Sequence, residues 1–174
     1  MDQRRPYRVL FLCTGNSARS VLAEYLLRHR GGGRFETWSA GAQPKGEVNP
    51  FALQVLREFY RIDASDARSK SWEELRGKEF DFVITVCDRA RESCPVWPGQ
   101  PITAHWGMED PAEVNGPRET KLRACRHAAL EIQRRLDLFR SLPIERLSWL
   151  QVERATQEIG TAPAVAEPAF DPPR

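Results

Sequence analysis

The chain has 174 residues, of which 41% are hydrophobic and 29% charged, and its formal net charge is +2. This length supports one domain with a well-formed core and is too short for two ordinary domains. The near-neutral balance gives no bias towards nucleic acid or membranes, and no apolar run reaches the length of a membrane span. Because the N-terminus lacks the apolar segment of a signal peptide, we expect a cytoplasmic protein, in which cysteines are more often reactive than structural.

Apolar runs and helical periodicities predict a chain in which strands and helices alternate. The predicted strands span 7–12, 34–38, 80–86 and 101–105. The predicted helices span 20–30, 50–60, 118–140 and about 144–159, with a short helix beginning at Ser71. A cysteine-bearing loop is predicted after the third strand. This order is typical of an α/β domain in which a mainly parallel, four-stranded twisted sheet carries helices on both faces.

Two cysteines are predicted at the same edge of this sheet. Cys13 ends the first strand and Cys87 follows the third. Ligands of such sheets bind beyond the carboxyl ends of the strands, so this edge is the expected site. The chain divides into a domain over 1–140, a helical extension over 141–160 and a tail over 161–174. The tail is rich in alanine and proline, and we expect it to be disordered.

The loop from Cys13 to Arg19 is the strongest candidate site. Its other residues are small or short and polar: Thr14, Gly15, Asn16, Ser17 and Ala18. Such a loop turns backbone N–H groups around a tetrahedral oxyanion, and the same field favours a thiolate beneath that anion. The loop therefore predicts a thiolate nucleophile that attacks a phosphate-like substrate. Because 22 residues are arginine, the spacing alone is weak, and a buried structural cysteine is the alternative.

A second pair of cysteines, Cys87 and Cys94, is separated by six residues. This spacing fits neither a zinc knuckle nor the Cys-x2-Cys of a thioredoxin-like enzyme. It allows the two sulfurs to be apart in one state and bonded in another, provided that the segment between them moves. Two ordinary loop cysteines are the alternative.

The remaining chemical candidates are a carboxylate and a fourth thiol. Asp110 precedes a proline on a predicted turn, where it would serve as a general acid for a leaving oxygen or would simply cap the turn. Cys125 falls within the longest predicted helix and is expected to be a buried core thiol.

Together these stretches resemble the arsenate reductases built on the low-molecular-weight tyrosine phosphatase fold. The resemblance covers about residues 7–140 in consistent order and is carried by residues 9–20, 39–41, 48–50, 69–70, 83–87, 94–95, 105–107 and 110–112. It is specific because phosphatases of this fold have the Cys13-type loop without the downstream cysteine pair. The segment from Leu142 to Gly160 looks like an extension found in one branch of these reductases.

The resemblance implies a mechanism. The loop would hold arsenate with Arg19 as a bidentate clamp, and Cys13, supported by Ser20, would attack arsenic while Asp110 assists loss of an oxygen. Cys87 would then attack Cys13, releasing arsenite and leaving a Cys13–Cys87 disulfide. Cys94 would move that disulfide to Cys87–Cys94, where an external dithiol reaches it.

The resemblance also implies partners. Thioredoxin is the first expected reductant, glutaredoxin with glutathione is the second, and no tightly bound cofactor is expected. Some relatives bind a monovalent cation, so a potassium ion is a candidate near Asn16, Glu24 and Ser39, although its aspartate is not identified in this sequence. The family's loop often has a second cysteine where this chain has Ala18. The alanine removes an off-pathway target for oxidation. A monomer or weak homodimer is expected.

Two other functions remain open at this point. A low-molecular-weight tyrosine phosphatase would need only Cys13, Arg19 and Asp110. A binding module that responds to an oxyanion or to redox state would not be an enzyme, and the amphipathic segment 144–159 would then dock a partner. The alternative for that segment is packing against the core.

Overall fold

The computed structural model describes residues 5–163, whose centre is a parallel sheet of four strands in the order β2-β1-β3-β4. The strands are β1 (Tyr7–Cys13), β2 (Phe35–Gly41), β3 (Phe82–Thr85) and β4 (Ile102–His105). Residues 9–13 of β1 and all of β3 are buried, as expected of the two inner strands of a parallel sheet. The register pairs Cys13 with Gly41 and Thr85 with His105. The carboxyl ends of all four strands therefore meet at one edge.

Five α-helices and three short 3-10 turns surround the sheet in the described part of the chain. The helices are α1 (Arg19–Arg30), α2 (Pro50–Phe59), α3 (Asp88–Ser93), α4 (Arg118–Arg140) and α5 (Trp149–Ile159). The 3-10 turns are Trp72–Leu75, Pro111–Glu113 and Ile144–Arg146. Local sequence explains several starts, since the Asn49 side chain accepts from the N–H of Phe51, and Ser148 and Gln151 form a reciprocal capping box.

The predicted fold class is confirmed, and the bounds of α4 are those predicted from the sequence. Three local predictions are wrong. The loop predicted after the third strand is the helix α3, whose six residues are too few to show a helical period. Strand β2 continues through Ser39–Gly41 because these residues pair with the end of β1. The single helix predicted over 144–159 is a 3-10 turn followed by α5, separated at Ser148.

Residues 164–174 of the predicted disordered tail lie outside the described residues. Within residues 5–163, no helix is both long enough and apolar enough to cross a membrane.

An aromatic cluster joins the sheet to the carboxyl end of α4. Phe139 is fully buried, and its ring centroid lies 4.9 Å from that of Phe82, 5.2 Å from Phe35 and 5.7 Å from Trp106. The rings of Phe82 and Trp106 meet Phe139 edge to face, which is a favoured aromatic geometry. These contacts hold the carboxyl end of α4 against β2, β3 and the segment that follows β4.

The extension packs against this core. Val152 and Thr156 of α5 are fully buried, and the indole N–H of Trp106 donates to the Thr156 carbonyl at 2.9 Å. Leu150 of the same helix is instead 57% exposed. The structure thus favours the core-packing interpretation of this segment, and the buried residues of α5 are Val152, Thr156 and Ile159.

Val152→Ala is expected to lower the free energy of unfolding by about 2 kcal/mol, because it removes buried apolar volume that cannot be refilled easily. Leu150→Ala, on the same helix, should change it by less than about 0.5 kcal/mol. Urea unfolding of both variants measures the difference. Equal effects would show that α5 is not held through its buried face.

Candidate active site

The loop between β1 and α1 is shaped by hydrogen bonds to its carbonyl groups. The N–H groups of Ala42, Gln43, Lys45 and Asn49 donate, in that order, to the carbonyls of Cys13, Thr14, Gly15 and Ser17, at 2.9–3.3 Å. Since N–H and C=O point in opposite directions across a trans peptide, drawing these carbonyls outward turns the following N–H groups inward. The amino end of α1 adds its dipole on the same side. The loop is therefore a cradle for a tetrahedral oxyanion.

Gly41 allows this close approach of β2 to the loop. A Cβ atom at this position would lie 2.5 Å from the Thr14 carbonyl oxygen and 3.0 Å from the Asn16 backbone nitrogen. Both are backbone atoms, so neither can move aside without moving the loop. Asn16 itself has a positive φ of 44°, a conformation that asparagine tolerates better than most residues.

The Cys13 sulfur lies at the base of the cradle and is 3% exposed. It accepts from the Asn16 backbone N–H at 3.2 Å and lies 2.9 Å from the Ser20 hydroxyl oxygen. That oxygen already accepts from the Asn16 side-chain amide at 2.9 Å, which leaves the hydroxyl proton available for the sulfur. Two groups that can donate a hydrogen bond are therefore directed at the Cys13 sulfur.

Asn16 connects this nucleophile to a buried polar cluster. Its amide also donates to the Ser39 hydroxyl at 3.0 Å, and its side-chain oxygen accepts from the Lys70 backbone N–H at 2.9 Å. The Ser39 hydroxyl donates to Glu24 at 2.8 Å. Glu24 is paired with Arg28 at 3.0 Å and lies 3.7 Å from the Lys70 ammonium. The three residues suggested for a cation thus form one hydrogen-bonded chain with Lys70.

Arg19 and Asp110 face each other beside the loop. The Arg19 guanidinium lies 3.3 Å from the Asp110 carboxylate and donates to the Met108 carbonyl at 2.9 Å. The other Asp110 oxygen accepts from the Ala112 N–H at 3.0 Å, so Asp110 also caps the following 3-10 turn. The structure thus shows the predicted turn cap, and the position of Asp110 beside Arg19 is compatible with the other predicted use, that of a general acid.

The structure brings Cys87 to the loop and keeps Cys94 away from Cys87. The Cys87 sulfur is 3.3 Å from the Thr14 hydroxyl and accepts from the Ala90 N–H as the N-cap of α3. Cys94 is the C-cap of the same helix, and burial raises the pKa of its thiol. Seven helical steps separate the two Cα atoms by about 10 Å. A disulfide needs them about 4.4–6.8 Å apart, so α3 has to unwind before this pair can bond.

Cys125 is confirmed as a buried core thiol. It lies in α4 with 1% exposure. Burial, helped by the Asp110 carboxylate, raises the pKa of its thiol to about 12, so the unreactive neutral form predominates. All four cysteines lie within residues 5–163, and none is in a disulfide there.

Sequence reasoning missed three features of this site. The sequence marks Lys70 only as part of the matching stretch 69–70, because its contact with Glu24 spans 46 positions and no local pattern reveals it. The need for Gly41 depends on pairing between β1 and β2. A hydrogen-bonded chain from Thr85 through His105 to Asp88, with both distances 2.8 Å, joins two strand ends to the start of α3. The acidic residue directly after Cys87 was a usable sign of a helix start there.

The sequence over residues 8–139 matches the family of low molecular weight phosphotyrosine protein phosphatases, and the chain belongs to this family. Within it, the chain is 36% identical to an arsenate reductase of Halalkalibacterium halodurans over 131 residues, which cover 75% of this chain and 93% of that relative. The predicted resemblance to the arsenate reductases of this fold is therefore confirmed.

Solved structures agree with this assignment. An arsenate reductase in the phosphate binding state has a TM-score of 0.65 at 27% identity and covers 78% of this chain and 97% of its own. A thioredoxin-dependent arsenate reductase of Corynebacterium glutamicum has a TM-score of 0.55 at 29% identity, covering 78% of this chain and 64% of its own.

Gly41→Ala is expected to weaken binding of inorganic phosphate or arsenate by about ten- to a hundredfold, because overpacking against the loop backbone costs about 1–3 kcal/mol. Gly77→Ala is the matched control, since a Cβ there meets nothing within 4 Å. Titration calorimetry with each anion measures the change. Unaltered affinity in Gly41→Ala would show that the loop does not hold the anion.

Proposed function

We propose that this protein reduces arsenate to arsenite through a relay of three cysteines. The observation that carries the proposal is the meeting of two thiols at one oxyanion loop: Cys13 lies beneath the loop, and Cys87 contacts its first residue, Thr14. Phosphate transfer leaves a nucleophilic cysteine in its original redox state and needs no second thiol. A reaction that passes two electrons to the substrate does need one.

In the first step, the loop N–H groups and Arg19 hold arsenate over Cys13. The thiolate attacks arsenic, so a sulfur–arsenic bond forms and an arsenic–oxygen bond breaks. The departing oxygen leaves as water after receiving a proton, and Asp110 is the proposed donor, because its carboxyl group lies 3.3 Å from the Arg19 guanidinium. Arsenic is still in the pentavalent state at this point.

In the second step, the Cys87 thiolate attacks the Cys13 sulfur. A disulfide forms, the sulfur–arsenic bond breaks, and its electron pair remains on arsenic, which leaves as trivalent arsenite. In the third step, Cys94 attacks Cys87, so the disulfide moves to Cys87–Cys94 and the Cys13 thiolate is regenerated. α3 opens for this step. Its six residues bury only Ala90, and so short a helix is marginal on its own.

The cycle needs an external dithiol because the two electrons come from the Cys87–Cys94 pair. Thioredoxin is the proposed reductant, supported by the thioredoxin-dependent reductase among the similar structures. Glutaredoxin with glutathione is the second candidate. No tightly bound cofactor takes part, and the proposed location is the cytoplasm, where such dithiols are kept reduced.

Phosphomonoester hydrolysis is the alternative, because the family is named for phosphatases and Cys13, Arg19 and Asp110 would suffice for that reaction. Cys87→Ser separates the two functions. Arsenate turnover should fall to background in this variant, since arsenite release needs the second thiol, whereas slow hydrolysis of p-nitrophenyl phosphate should survive. Arsenate turnover at the wild-type rate in Cys87→Ser would overturn the relay.

Disulfide mapping without reductant tests the order of the relay. With one equivalent of arsenate, the wild type should accumulate Cys87–Cys94, and Cys94→Ser should stop at Cys13–Cys87 after releasing about one arsenite per chain, the stoichiometry of a single exchange. Alkylation followed by peptide mass analysis reads these bonds. Cys125→Ala is the matched control and should behave as the wild type, because that thiol is buried within α4.

The reductant is identified by arsenate-dependent NADPH oxidation. The thioredoxin system should support multiple turnovers, and the glutaredoxin system with glutathione should give markedly slower turnover. The reverse order would assign the protein to glutaredoxin coupling and contradict the proposed partner.

A further inference from the structure

A lysine side chain lies inside the polar cluster that supports the oxyanion loop. The Lys70 side chain is 13% exposed, and Glu24, which it faces at 3.7 Å, is 6% exposed. The ammonium also lies 3.4 Å from the Arg68 carbonyl oxygen. Burial lowers the pKa of Lys70, and the Glu24 carboxylate opposes that shift.

The oxygen atoms of this cluster do not fit a potassium ion, because each of them already faces a hydrogen-bond donor or a cationic side chain. One Glu24 oxygen accepts from Ser39 and faces Lys70, and the other is paired with Arg28. The Asn16 side-chain oxygen accepts from the Lys70 backbone N–H. The amide N–H groups of Asn16, which repel a cation, donate to Ser20 and Ser39. An alkali cation would need several of these oxygens at once.

The charges lead to the same conclusion. Among the described residues, Glu24 is the carboxylate in direct contact with Lys70, and two cations, Arg28 and Lys70, already neutralise it. Glu74 and Arg68 also act on Lys70, with opposite signs. A third cation beside them would meet net repulsion in a buried setting where screening by water is weak. The ammonium therefore stands where an inorganic cation would have to bind.

We propose that Lys70 is a built-in cation that replaces a monovalent metal ion and acts as a positioning residue for the oxyanion loop. This proposal rests on the oxyanion-binding role that the proposed function gives to the loop. Lys70 acts at two points: its backbone N–H fixes the Asn16 amide, and its ammonium holds Glu24. Since Asn16 donates to Ser20, and Ser20 lies against the Cys13 sulfur, the charge is linked to the nucleophile without touching substrate.

The proposal predicts that the wild type is indifferent to potassium and that removing the ammonium creates a vacancy for it. Lys70→Ala opens the space, whereas Lys70→Met removes the charge and keeps the space filled. Lys78→Ala is the control lysine: it packs on Trp38, 4.4 Å from the ring centroid, and Trp38 points to the opposite face of β2 from Ser39.

The first measurement is thermal unfolding in potassium chloride and in choline chloride at equal ionic strength. The melting temperatures of the wild type, Lys78→Ala and Lys70→Met should be the same in both salts. Lys70→Ala should melt a few degrees higher in potassium chloride, because binding to the folded state stabilises it. A potassium-specific rise in the wild type would overturn the proposal, and so would the absence of any cation-specific rise in Lys70→Ala.

The second measurement is arsenate turnover in the same salts. In choline chloride, Lys70→Ala should lose about tenfold in kcat with a smaller change in KM, as expected of a residue that supports a reacting group from behind. Potassium should restore part of the loss in Lys70→Ala and none in Lys70→Met, which a merely structural defect would not do. Equal rescue by choline, or no loss at all, would contradict the positioning role.

The thermal measurement and the turnover measurement together distinguish a failure of this proposal from a failure of the proposed function. If the chain does not reduce arsenate, the thermal comparison still tests whether Lys70 occupies a cation site. If Lys70→Ala does not fold in choline chloride but does fold in potassium chloride, that result would support the proposal. In that case wild-type and Lys70→Met unfolding still decide it, because a potassium-stabilised wild type would refute it.

Discussion

The site depends on the hydrogen bonds that tie the loop carbonyls to the segment 42–49. Parallel pairing of β1 and β2 ends with Cys13 opposite Gly41, and the chain beyond Gly41 continues alongside the loop as if the sheet were one step longer. The loop carbonyl groups thereby accept hydrogen bonds from residues outside the loop, and the loop N–H groups face inward. The cradle is thus an extension of the sheet's hydrogen bonding, so its shape is fixed before any anion binds. This is the preorganisation that stabilises developing charge without reorganisation.

The proposed cycle requires opposite mechanical properties from two neighbouring parts of the site. The loop around Cys13 is braced by buried groups on several sides, which suits a step that needs fixed geometry. Helix α3 carries the other two thiols of the proposed relay at its ends. It is short and mostly exposed, and Ala90 is its one buried residue. Local stability follows buried contact, so α3 is a segment that can open while the sheet stays folded. Separating the rigid and the movable thiols in this way lets one small domain perform both steps.

Much of this arrangement was predictable because its signals are local. Strand β1, the loop after Cys13 and the whole of α4 have patterns that span consecutive residues. The order of the elements also predicts that Cys13 and Cys87 share one edge of the sheet. The individual contacts between Thr14 and Cys87, 73 positions apart, and between Glu24 and Lys70, 46 positions apart, have no local signal. They arise only when parallel strands bring their carboxyl ends together. A lysine in a polar loop resembles any solvated charge until the buried carboxylate it meets is known.

The extension is connected to the same site through Trp106. Its indole N–H donates to the Thr156 carbonyl of α5, and its own carbonyl accepts from the buried guanidinium of Arg135 at 2.9 Å. Two residues further on, the Met108 carbonyl receives Arg19. The segment that follows β4 is therefore held by α4 and α5 on one side and meets the oxyanion loop on the other. Helix α5, which lies beyond the residues that match the phosphatase family, thus helps to fix the carbonyl group to which Arg19 donates.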